Sequence, residues 1–147
     1  KNGLIHEHKK HQDWVLYFFN GTLIEKNLPE QINIIETTIQ PSNTNNSLIH
    51  IAINESNNYK LASTSKTNEK ITIIYETSKN HFGTSAIEIE TDSKQTLNIK
   101  REFYAAENSH INTYTNIIGA DQSRTIMTDS NNNNNGTITD FAQSKNI

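Results

Sequence analysis

Apolar and polar residues alternate along most of this chain, and a period of two predicts strands. The run Trp14-Val15-Leu16-Tyr17-Phe18-Phe19 is rich in strand formers and is followed by Asn20-Gly21 and then Thr22-Leu23-Ile24-Glu25. Asn-Gly between two such runs predicts a hairpin, because a type I′ turn needs positive φ at both central residues. The pattern returns at Ile49, Ile51 and Ile53, at Ile71, Ile73 and Tyr75, and at Ile87 and Ile89. It returns again at Leu97, Ile99 and Phe103, with Arg101 on the same face. Each segment therefore has one buried and one wet face.

Polar breaks rich in Asn, Ser, Asp, Gly and Pro separate these segments. Their spacing is the one expected of an all-β sandwich or barrel. Short links favour antiparallel neighbours, since a parallel pair needs a long crossover. The expected fold is one all-β domain over 1–147, an antiparallel sandwich or up-and-down barrel of about nine to eleven short strands. Residues 1–12 read as a polar leader, and no stretch carries a convincing helical period. No repeat of fixed length is visible beyond the strand rhythm itself.

Composition narrows the classes of function. The chain is polar, with 33% hydrophobic residues and a net charge of −3. Its 21 Ile and 22 Asn, against 5 Gly and 2 Pro, are what an AT-rich coding sequence supplies. Asn richness alone is therefore no sign of special chemistry. The one basic cluster is Lys9-Lys10, too little to neutralise a phosphate backbone, so nucleic acid is not an expected partner. There is no Cys, hence no disulfide frame and no thiolate chemistry. No apolar run approaches the length of a membrane-spanning helix. The chain begins at Lys1, so either a leader was removed or the sequence is a fragment; the first reading favours export, and hence an extracellular or cell-surface setting.

Candidate chemistry is sparse. His6, His8 and His11 form the densest imidazole cluster: a strand puts His6 and His8 on one face, and a helix puts His8 and His11 together. Such a set could hold zinc or nickel. No nucleophile elbow and no phosphate-binding glycine loop is present. Glu88 and Glu90 share a strand face that reads as solvated. Arg101 breaks the local pattern, because alternation points it inward, where a guanidinium must find a carboxylate.

Three functional readings follow. The first is a non-catalytic secreted or surface interaction domain, adhesin- or pilin-like. It would bind a protein partner or itself through strand edges or through Trp14, Leu16 and Phe18. The second is a small barrel of lipocalin-like architecture in which Arg101 anchors the carboxylate of an apolar ligand. The third is a β-barrel enzyme with a metal on His6, His8 and His11. The first two readings call for no cofactor.

Overall fold

A computed structural model describes residues 14–37, 57–64, 68–132 and 134–146. Ten strands are described: β1 (Val15–Phe19), β2 (Thr22–Asn27), β3 (Ile32–Glu36), β4 (Asn57–Ser63), β5 (Glu69–Thr77), β6 (Phe82–Thr91), β7 (Thr96–Ala105), β8 (His110–Gly119), β9 (Arg124–Asn131) and β10 (Thr137–Asn146). The all-β expectation holds. The Asn20–Gly21 hairpin also forms, with φ of 49° and 86° at its two turn residues. Gly21 has a second reason to be glycine: a Cβ there would lie 2.6 Å from the Thr84 carbonyl oxygen.

Strand direction departs from the sequence expectation. Neither an antiparallel sandwich nor an up-and-down barrel forms. The strands make two sheets, ordered β2-β1-β5-β7-β9 and β10-β8-β6-β4-β3. Among the described strands only β1–β2 and β3–β4 pair antiparallel; the other six pairings are parallel. After β4 each strand lies in the sheet opposite to the one before it, so the long crossover that a parallel pair needs is itself a strand, and the described links from β5 to β9 are tight turns. Apart from the β1–β2 hairpin, the described short links join strands of opposite sheets rather than neighbours.

The result is a flattened coil of nearly constant length. Glu69 lies beside Leu97, Phe82 beside His110, Thr96 beside Arg124 and His110 beside Thr137. The corners repeat at half that interval. Four turns close with the same backbone bond, His81 N–H to Ser78, Gln95 to Asp92, Ser109 to Ala106 and Ser123 to Ala120, evenly spaced along the chain. The third residue of each, Asn80, Lys94, Asn108 and Gln122, has φ between 55° and 64°. The turns bond to one another from coil to coil: Asn80 N–H donates to Glu107, Lys94 to Asp121 and Asn108 to Asn135. One side-chain amide bond links successive turns at this corner, Asn108 Nδ2 donating to Asn80 Oδ1 at 2.8 Å.

The core lies between the sheets. Leu16, Phe18, Ile71, Ile73, Tyr75, Leu97, Ile99 and Phe103 enter from one sheet. Ile32, Ile34, Tyr59, Leu61, Ile87, Ile89 and Ile111 enter from the other. Parallel in-register pairing puts like side chains in columns: Phe18, Tyr75 and Phe103 stack with centroids 5.1 and 5.2 Å apart. A smaller cluster of Val15, Tyr17 and Ile74 is buried on the outer face of the first sheet.

Candidate functional site

Two features stand out, and they adjoin. The first is the buried charge centre on Arg101. β7 carries its side chain inward, in line with Ile73 on β5 and Asp129 on β9. The residue is 1% exposed and is among the largest fully buried side chains. Its Nε and Nη2 donate to the two oxygens of Asp129 at 2.8 and 2.7 Å. Its Nη1 and Nη2 donate to the two oxygens of Asp140, on β10, at 2.9 and 2.8 Å. The second Nη1 proton reaches Thr115 Oγ1 at 3.4 Å. A guanidinium has five N–H groups, and all five are used. Thr113 donates to Asp140 at 2.6 Å, and the Phe103 ring lies 5.1 Å from the guanidinium carbon. Burial works against the charge, but the bonds to Asp129 and Asp140 outweigh it and hold the Arg101 pKa above its ordinary value.

The second feature is the end of the coil. β9 and β10 are the outermost strands of their sheets, and neither pairs on its far side among the described residues. Residues of a parallel strand present their N–H and C=O to alternate sides. Arg124 and Asn132 donate to Gln95 and Phe103, and Thr137 donates to Ser109. The backbone groups of Thr125, Met127, Asp129 and Asn131 therefore face the open edge of β9. Those of Ile138, Asp140, Ala142 and Ser144 face the open edge of β10. The same eight residues point toward the interior, where Asp129 and Asp140 hold the guanidinium from the open side. Asp129 is 43% and Asp140 26% exposed at the side chain.

The opposite end is finished differently. β2 and β3 run antiparallel to β1 and β4 and are the outermost described strands there, with Glu25 and Lys26 on β2. A shallow, solvent-open depression beside them is lined by Lys26, Asn27, Leu28, Pro29, Glu30 and Ile32.

The structure places the sequence-derived candidates as follows. Arg101 is inward, as alternation indicates, but its donors are taken by protein groups, so a ligand carboxylate would have to displace one. Leu16 and Phe18 are 0% and 1% exposed and belong to the core; Trp14, 36% exposed, alone keeps a surface. His6, His8 and His11, the 1–12 leader and the Ile49–Ile53 segment lie outside the described residues. Among the described residues no three His, Asp or Glu side chains converge as a metal site would require. No described helix is long and apolar enough to cross a membrane. Sequence reasoning missed Asp129 and Asp140. The available signal was a carboxylate, Asp129, standing one coil length after an inward arginine, and it is visible only once that length is known.

A further polar network lies on the outer face of the first sheet. Tyr17 donates to Glu76 at 2.5 Å and Tyr104 to Glu102 at 2.6 Å. Burial first, and then these carboxylates, push both phenols well above the ordinary tyrosine range.

The fold defines a two-sheet β-solenoid whose outermost described strands are the antiparallel β2 and β3 at one end and the parallel β9 and β10 at the other. Compared with family models, curated proteins and solved structures, the chain finds no match.

Proposed function

We propose that this chain is a non-catalytic interaction module that receives a partner's strands on the open edges of β9 and β10. The observation that carries the reading is the difference between the ends. One ends in short antiparallel edge strands, β2 and β3, of 6 and 5 residues. The other ends in longer parallel edge strands, of 8 and 10 residues, whose outward backbone groups have no strand partner among the described residues. Unpaired strand edges are templates for pairing, and solenoids need a cap or a partner at each terminus. Natural edges are blunted by short length, lysine or proline. β10 has no proline, and its single lysine, Lys145, sits at its far end. A polar buried centre with every guanidinium donor satisfied supports a structural role for Arg101 rather than a catalytic one.

The test uses the chain itself as the probe. Two copies can pair about a two-fold axis that sets β9 against β9 and β10 against β10. Sedimentation velocity across chain concentration, in about 1 M salt to screen charge, should show reversible dimers. Ala142→Pro removes an edge-facing N–H without touching the ladder to β8, a position where proline is tolerated. That variant should keep its circular dichroism spectrum and lose the dimer. Dimers that persist unchanged in Ala142→Pro would overturn the reading, as would a wild-type chain that stays monomeric.

A further inference from the structure

The inner surface of the open end carries an unbalanced charge. One guanidinium, Arg101, meets two carboxylates, Asp129 and Asp140, so the cluster is left with one net negative charge. It sits in the layer that an incoming strand pair would cover. In every earlier coil that layer is dominated by Ile, Leu and aromatic side chains. A second copy of this chain would bring the same negative cluster against it. We propose that the Arg101–Asp129–Asp140 centre selects the partner: it disfavours a second copy and favours a strand pair that brings an inward Lys or Arg to the junction. The inference rests on the edge-pairing reading and adds charge selection to it.

The physical basis is short-range electrostatics in a water-poor junction. Asp129 and Asp140 are already partly shielded, and docking strands would remove the rest of their water. Two like clusters about 10 Å apart at intermediate effective dielectric weaken pairing roughly tenfold or more. A cation in the same place reverses the sign. Designed and natural strand and helix interfaces reject wrong partners by this means.

The experiment is native mass spectrometry at low ionic strength on wild type, Asp129→Asn, and mixtures of wild type with Asp129→Lys. Thermal melts confirm that each chain is folded. The Asn chain has a neutral end, with Asp140 still paired to Arg101, and should dimerise roughly tenfold more tightly than wild type. The Lys chain has a positive end. Mixed with wild type it should form the mixed pair in preference to either homodimer, and about 1 M salt should erase that preference. A wild-type chain that pairs as tightly as Asp129→Asn at low salt would overturn the selection while leaving edge pairing intact. So would mixed pairs at no more than the statistical proportion. A wild-type chain that stays monomeric even in about 1 M salt would remove the edge reading itself, and the selection with it.

Discussion

At the scale of single residues, Arg101 shows how a buried charge is made tolerable. Its desolvation is answered by two bidentate carboxylates and a hydroxyl, with an aromatic ring over one face. Removing the cation leaves Asp129 and Asp140 facing each other across a half-wet junction. Arg101→Met should therefore lower stability by about 2 kcal/mol, less than a fully buried pair would cost because both carboxylates keep some water. Chemical denaturation with an unchanged slope is the measurement, and a midpoint within error of wild type would sink the prediction. The tyrosines make a second prediction. Tyr17, Tyr75, Tyr104 and Tyr114 all have phenols raised above the ordinary value, with burial the first cause in each. A raised folded-state value means that the neutral phenol contributes stability fully present below the unfolded value, near 10, and lost as pH rises toward the folded value. Tyrosinate absorbance should then appear in one cooperative step together with loss of β-sheet dichroism above about pH 10. Gradual ionisation of all four in a chain that stays folded would contradict it.

At the scale of elements, the corners set the geometry. Each of the four repeated corners is a four-residue turn whose third residue takes positive φ, and that conformation costs an ordinary side chain about 1 kcal/mol. Asparagine bears it well at Asn80 and Asn108 and gains the amide bond between them. Lys94 bears it without that advantage at φ 61°. Lys94→Gly should relieve the strain and, after the extra freedom it gives the unfolded chain, raise stability by roughly 0.5 kcal/mol. The measure is again the denaturation midpoint, with Lys70→Gly on β5 as the opposite control, expected to destabilise. These corners also explain what was legible in the sequence. Strand positions follow from alternation, and the inward faces of β5, β6 and β7 and the direction of Arg101 were readable from it. The length of the coil was not. What repeats is a backbone conformation, filled once by Lys, once by Gln and twice by Asn, and no side-chain identity marks it. Without that length a short link reads as a hairpin, which is why the sheets were expected to be antiparallel. Trp14 to Phe19 misled for a related reason: β1 is covered on both faces, Leu16 and Phe18 by the interior and Val15 and Tyr17 by the outer cluster, so its continuous apolar run marks burial rather than a docking surface.

At the scale of the molecule, stability should be a sum over coils, because among β5 to β10 each strand bonds to strands one coil before or one coil after it. The coils are then interchangeable within limits set by register. Deleting residues 68–95 removes one whole turn of the solenoid, β5 with β6 and the links that join them. Thr96 then follows Thr67 in the place that Asn68 holds, because Glu69 and Leu97 occupy equivalent positions. Leu16 meets Arg101 in place of Ile73, Phe18 meets Phe103 in place of Tyr75, and Tyr59 meets Thr115 in place of Ile87. The deletion keeps Arg101, Asp129 and Asp140 together and leaves both ends as they are. The shortened chain should fold in one cooperative transition with a shallower denaturant slope, since less surface is exposed on unfolding. It should be less stable than the parent, by the interior layer it has lost. It should also keep the salt-dependent pairing of the parent, because the open end is unchanged. Loss of cooperative unfolding in the deleted chain would show that the coils are not equivalent units. Cooperative folding without pairing would show that the surface responsible lies on β5 or β6 and not on the open strands.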